Sequence, residues 1–135
     1  MRVQAISNSG EFLPASMIDS RWGLSKESSF PLSIGKEYVV YAITAVKDAF
    51  WYYLLDDHDL PYPVWYPSPL FQVADGSLPA HWTANYVTHP YSPERIGTSL
   101  ITFKEWASDP AYYENLVEGE AGARAAFERE RSIRA

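Results

Sequence analysis

Two apolar runs near the middle of the chain, Glu37–Val46 and Ala49–Leu55, dominate the hydrophobic pattern. In both runs apolar residues occupy both faces of an extended strand, which is typical of a strand buried on both sides. If side chains alternate strictly along the strand, Val40 and Ala42 lie on the same face as Tyr38. β-Branched and aromatic residues favour strand over helix, and Lys47–Asp48 between the runs predicts a two-residue turn. We therefore expect a central hairpin.

Shorter segments with strand character flank this hairpin on both sides. Prolines around Val64–Tyr66 restrict that segment to an edge strand, because proline cannot donate to a ladder. Asp75–Gly76 is a turn pair that ends the strand before it. The predicted short strands are Arg2–Ser7 at an edge, Val64–Tyr66, Phe71–Val73, a half-exposed His81–Val87, and Thr98–Phe103, with a loop over Thr88–Gly97.

The segment before the hairpin has no sustained hydrophobic period. Its glycines, prolines and serines predict a long irregular stretch, with one turn of helix near Ser16–Asp19. A loop of this length in a compact domain is either functional or held down by its apolar residues, and we favour the second interpretation. The residues expected to hold it are Phe12, Leu13, Met17, Ile18, Trp22 and Phe30.

The last third of the chain changes to a helical pattern. Thr102–Glu105 fits a capping box, and Asp109–Pro110 predicts a second helix start, with Gly119 as its end. Residues 120–134 favour a charged helix. Its only large apolar residues are Phe127 and Ile133, so we expect it to dock weakly or fray.

Together these elements predict one domain of α+β class that is mainly β. Residues 1–34 form an irregular entry segment, residues 35–103 a β core, and residues 104–135 a helical C-terminal segment. The core is expected to be a small bent antiparallel sheet or an SH3-like barrel of five to six strands, followed by short helices.

Composition narrows the classes of function. The formal net charge of −6 argues against nucleic acid and against anionic membrane surfaces, both of which attract Lys and Arg. The chain contains no cysteine, which excludes disulfides and thiol chemistry. No apolar run approaches the roughly 20 residues that span a bilayer, and the N-terminus lacks a signal-peptide core, so a cytoplasmic location is expected.

The sharpest polar cluster is the loop Asp56–Asp59, which holds three carboxylates and His58. Carboxylates of this kind could bind Mg²⁺ or Ca²⁺, although the EF-hand pattern is not met. We favour a solvated turn for the same residues, with an acidic contact patch for a basic partner as the next interpretation and a metal site last. We predict no metal and no cofactor, and list Asp56, Asp57 and Asp59 as candidate partner-binding residues.

An aromatic segment follows this loop. Tyr62, Trp65 and Tyr66 lie among four prolines, and Tyr and Trp are preferred anchors in protein interfaces. They are the remaining candidate partner-binding residues, although Trp65 could simply close one end of the core. His81 and His89 have no companion residue at catalytic or metal-binding spacing, and no nucleophile elbow or phosphate-binding loop is present. No catalytic residue is predicted.

Three stretches, Gly35–Ile43, Trp51–Asp57 and Phe71–Gly76, resemble small bacterial proteins, some of which are suspected immunity proteins of toxin systems. The resemblance implies a non-enzymatic protein-binding domain that occludes a partner protein, and it carries no catalytic motif. The net charge of −6 is compatible with a basic partner. Two alternatives stay open: a small-ligand or carbohydrate-binding module that uses exposed aromatics, and a metal-dependent hydrolase at Asp56–Asp59.

Overall fold

The computed structural model describes residues 1–46, 49–88 and 97–134. It confirms the α+β class and the bent antiparallel sheet, which is open and has seven strands within these ranges rather than five to six. The turn predicted at 47–48 and most of the loop predicted over 88–97 lie outside the described residues. The strands are β1 (Arg2–Ala5), β2 (Glu37–Val46), β3 (Ala49–Leu54), β4 (Val64–Pro67), β5 (Phe71–Asp75), β6 (Thr83–Thr88) and β7 (Gly97–Thr102). The helices are α1 (Lys104–Ala107), α2 (Tyr112–Glu118) and α3 (Ala121–Arg134).

The long strand β2 is the point at which the sheet branches. One side of β2 pairs with β3, and β4 lies beyond β3. On the other side, Glu37–Val39 pairs with β1 while Ala42–Ala45 pairs with β7. One branch therefore continues from β1 to β5 and the other from β7 to β6.

A bulge in β2 changes which of its side chains face each of the two hydrophobic cores. The register with β3 shifts between Val40 and Ala42. An extra residue in one strand changes which side chains share a face. Val40 and Ile43 accordingly pack in one core, while Tyr41 and Ala42 pack in the other. The prediction that both faces are buried is confirmed, but strict alternation is wrong beyond Val40.

The buried side chains form two cores on the branched sheet. One is formed between the sheet and the entry segment, and its fully buried members include Val3, Leu54 and Leu70. The other lies under the helices, where Phe103 and Leu116 are fully buried. The helical segment is thus a second layer on the sheet.

The entry segment is irregular, as predicted, and is held down by its apolar residues. It contains three single turns of 3₁₀ helix instead of the one turn expected near Ser16–Asp19. Leu13 is buried, but Phe12 is exposed, so it does not help to anchor the segment. The chain crosses itself at Gly10, where an added Cβ would lie 1.9 Å from the Ser25 carbonyl oxygen. The other buried anchors are Leu24 and Leu32, with Met17, Ile18 and Phe30 partly buried.

The edge position predicted for β1 is wrong, because β1 is an internal strand. It lies between β2 and β5 and pairs antiparallel with both. Val3 and Ala5 are buried, which is possible because two neighbouring strands and the entry segment surround them. A strand of four residues gives too short a pattern to indicate how many neighbours it has.

The helix starts differ from the predicted caps. Thr102 is the last residue of β7, and its buried hydroxyl donates to the Tyr41 carbonyl oxygen at 2.6 Å. The predicted capping box does not form, because α1 follows Phe103 and has no side-chain cap. The Asp109 carboxylate accepts a hydrogen bond from the Ala111 N–H at 2.9 Å. This bond lies in the turn before α2, because the helix begins only at Tyr112. Gly119 ends α2 at a φ of 85°, as predicted.

Helix α3 is firmly docked, which contradicts the expectation of weak docking. Phe127 is fully buried and packs edge-on against the Tyr41 ring, with centroids 5.0 Å apart. Ala123 and Ala126 provide the other apolar part of its buried face, and their small side chains gave the sequence only a weak apolar signal. The Glu120 carboxylate caps the helix by accepting from the N–H groups of Gly122 and Ala123.

Replacing Phe127 with alanine tests the docking of α3. We expect the free energy of unfolding to fall by about 3–5 kcal/mol, as for other fully buried aromatics. Chemical denaturation measures this loss. Ile133→Ala on the same helix is the control, since Ile133 is 65% exposed, and its effect should stay within about 0.5 kcal/mol. Equal effects of the two changes would contradict the docked helix.

Candidate functional site

The acidic loop is tied to the entry segment through Asp57. Its carboxylate accepts hydrogen bonds from the Ser33 hydroxyl at 2.6 Å and from the Lys36 ammonium and Tyr38 hydroxyl at 2.9 Å each. The Asp57 N–H also donates to the Pro31 carbonyl oxygen at 3.0 Å. Hydrogen bonds from Ser33 and Lys36 lower the pKa of Asp57 to about 2. Asp57 therefore joins three parts of the fold, and its charge is balanced by Lys36.

The neighbouring Asp56 points toward the aromatic segment. Its carboxylate accepts from the Tyr66 hydroxyl and from the His58 N–H. Burial, followed by the bond to Asp56, raises the pKa of the Tyr66 hydroxyl well above its usual value. Asp59 has a positive φ of 55°, a conformation that Asp tolerates better than most residues. Asp57 and Asp59 are both exposed, but among the described residues no hydrogen bond is recorded for the Asp59 carboxylate.

The aromatic segment lies against the sheet and the helices. Trp65 lies between Trp51 and Tyr53, with ring centroids 4.6 and 5.9 Å away. Tyr66 is buried, and Tyr62 is half-buried in the core beneath the helices. The structure thus brings Asp56 and Tyr66 together, while the rings of Trp65 and Tyr62 pack against the protein itself.

A polar cluster that the sequence did not indicate surrounds Glu130 on α3. This carboxylate is only 4% exposed. It bonds the His81 Nε2 at 2.6 Å and accepts from the Trp82 Nε1 at 2.9 Å. The Arg134 guanidinium lies 3.8 Å from it and also donates to the Val40 carbonyl oxygen at 2.9 Å. The i, i+4 spacing of Glu130 and Arg134 is typical of an ion pair on a helix, but nothing in the sequence indicates that this pair is buried.

An open groove of about 350 Å³ lies beside this cluster, between β6 and α1. Asn85 fixes the position of α1 by donating to the Ala107 carbonyl oxygen at 2.7 Å. Lys104 contributes an ammonium group, and His81 reaches the groove with a ring held by Glu130. The remaining lining residues are Thr83, Ala84 and Ser108. The groove thus has cationic and hydrogen-bonding groups on a protein whose net charge is negative.

The sheet also presents an exposed row of side chains at one end, here called the rim row. It consists of Phe50, Ala45, Ser99 and Tyr86, which are directly opposite one another on four adjacent strands. Residues directly opposite in antiparallel strands share a face of the sheet. Phe50 is 54% exposed and Tyr86 is 63% exposed. Detecting this row required the strand register, which the sequence did not specify.

Three further observations bear on function. Among residues 1–46, 49–88 and 97–134, no group of three or more metal-ligating side chains could hold an ion. No helix in these ranges has the length and apolar character needed to cross a membrane. Comparison with protein-family models, curated proteins and solved structures finds no match to this chain.

Replacing Asp57 with asparagine tests its role as a tie between segments. At neutral pH we expect the free energy of unfolding to fall by about 1 kcal/mol, because charged hydrogen bonds weaken. Since folding lowers the pKa of Asp57 to about 2 from 3.8, the wild-type advantage is complete above about pH 5 and disappears as the pH falls toward 2. Denaturation at several pH values measures this. Asp59→Asn is the control, and it should barely change the free energy of unfolding. A stability loss in Asp57→Asn that does not vary with pH would contradict the role of the Asp57 charge.

Replacing Glu130 with alanine tests the buried cluster. The change removes the carboxylate that the side chains of His81, Trp82 and Arg134 surround. Breaking a buried ion pair at one partner costs about 3–5 kcal/mol, and we expect a loss of this size by denaturant titration. Glu128→Ala on the exposed side of the helix should cost less than about 0.5 kcal/mol. A loss for Glu130→Ala as small as this control would show that the cluster does not stabilise the fold.

Proposed function

We propose that this protein is a non-enzymatic protein-binding domain that occludes a partner protein in the manner of bacterial immunity proteins. The observation that carries the proposal is the rim row, which exposes two aromatic rings on one face of the sheet. Large exposed aromatics on a rigid support are favoured anchors in protein interfaces. A cytoplasmic location is part of this proposal.

The support beneath the rim row is well packed. Two residues further along the strands, Tyr52 and Ile43 lie on the same face and are buried. The rings of Tyr52 and Phe71 are in edge-to-face contact, with centroids 5.9 Å apart. Because Ile43 and Tyr52 anchor β2 and β3 in the core, the backbone that carries Phe50 would lose little conformational freedom on binding. Preorganisation of this kind lowers the entropic cost of association.

Charge gives the proposed interaction a second component. The net charge of −6 favours approach by a basic partner through long-range attraction. Asp57 contributes less to this attraction than the sequence suggests, because Lys36 lies 2.9 Å from its carboxylate. Asp59 has no such cation described beside it. The acidic loop therefore attracts a partner mainly through Asp56 and Asp59, beside which no cation is described, while the rim row supplies contact area.

Replacing Phe50 with serine tests the proposed surface. A partner is first captured from host lysate on the tagged protein, identified by mass spectrometry, and purified for calorimetry. We expect Phe50→Ser to weaken its affinity by roughly 30-fold, the effect of losing an interface residue worth about 2 kcal/mol. Its thermal stability should change little, because the side chain is 54% exposed.

Phe12→Ser is the matched control for this experiment. Phe12 is 52% exposed and belongs to the entry segment rather than to the rim row. The affinity of this variant should equal that of the wild type. Equal losses in both variants, or no loss in either, would contradict a binding role for the rim row.

A further inference from the structure

Within the part of the chain that the structure describes, the strand β6 differs from the other edge strands in lacking the charge or proline that opposes pairing. Among the described strands it pairs only with β7. Its six residues, Thr83–Thr88, include no charge and no proline. Edge strands of natural proteins are usually protected by charge, proline, irregularity or short length, since an exposed ladder invites another strand.

The other two edges carry such protection. β4 has four residues, ends in Pro67 and directly follows Pro63. β5 ends in the charged Asp75, and its register with β1 is irregular. Proline removes a ladder donor, while charge and irregular pairing oppose the addition of a strand. The contrast singles out β6 as the edge at which a strand can be added.

The backbone of β6 offers hydrogen-bonding groups on its outer side. The Tyr86 N–H is bonded at 2.9 Å to the side-chain oxygen of Asn85, so it does not point toward β7. N–H directions alternate along a strand, and the N–H of Ala84 therefore points to the same outer side. A strand that arrived at this edge would meet the N–H and carbonyl groups of Ala84.

The groove on the helix side of β6 indicates the chemistry of the arriving strand. Thr83 and Asn85 line it from the strand, while Lys104 lines it from α1. Among the described residues the Lys104 ammonium has no carboxylate within ion-pair distance. His81 completes the groove, with its Nε2 held by the buried Glu130. The groove therefore suits a negatively charged side chain.

We propose that the partner protein adds an extended segment to the outer edge of β6 and places an Asp or Glu side chain in the groove between Lys104 and His81. Strands in a sheet lie about 4.8 Å apart. A side chain of the added strand would thus lie beside Thr83 and Asn85, within the reach of Lys104. This inference rests on the proposed protein-binding function and specifies the chemistry of the partner segment.

The test uses a phage-displayed library of ten-residue peptides selected against the intact protein. We expect enrichment of β-prone peptides that carry Asp or Glu at a fixed position. Ala84→Pro removes the outward N–H without removing a bond to β7, and should weaken binding of an enriched peptide by about tenfold or more. Lys104→Met should weaken it several-fold, whereas Lys26→Met, at another exposed lysine, should not.

Hydrogen exchange on the wild-type protein gives a readout that does not depend on the folding of Ala84→Pro. The amide of Ala84 should exchange more slowly when an enriched peptide is bound. The proposal is overturned if no peptide is enriched, if the Ala84 amide is unprotected, or if Lys104→Met binds as tightly as wild type. The binding function itself is tested separately by Phe50→Ser. If that variant loses its protein partner while any of the three results above is found, the binding function stands and only its assignment to β6 is removed.

Discussion

The structure depends on β2 being shared between two branches of the sheet. One edge of this strand serves β3, while its other edge is divided between β1 and β7. Both of its faces are buried, so it contributes to the core under the entry segment and to the core under the helices. The bulge at its centre makes this possible, because it redirects side chains without ending the strand.

The two polar ties hold the outer layers onto this sheet. Asp57 connects the loop after β3 to Ser33 and Lys36, and so fixes the end of the entry segment. Glu130 and Arg134 do the same for α3, through Trp82 and the Val40 carbonyl oxygen. Each tie joins residues that are far apart in sequence. The Asp57 tie gives the irregular entry segment a defined position, and the Glu130 tie does so for the polar helix α3. Apolar burial supplies most of the stability, and these ties specify where the layers sit.

Much of the architecture could be predicted from residues with strong local signals. The apolar runs of β2 and β3, the prolines around β4 and Gly119 after α2 each point to one structure. The internal position of β1 and the docking of α3 could not be predicted, because both depend on neighbours that are remote in sequence. Among the candidate site residues, Asp57 shows the same limit. Its charge suggested a contact surface, whereas its partner Lys36 is 21 residues away in the chain. The rim row and the groove beside β6 both required knowledge of register and packing.

The pair of indoles formed by Trp51 and Trp65 has a consequence for spectroscopy. Their ring centroids are 4.6 Å apart and their planes are inclined by 35°. Two identical chromophores at this distance and at an angle couple their electronic transitions. The far-ultraviolet circular dichroism of this protein should therefore contain an exciton couplet in addition to the backbone signal. Helix content read from such a spectrum would be distorted, but the couplet itself would report whether β4 is docked on β3.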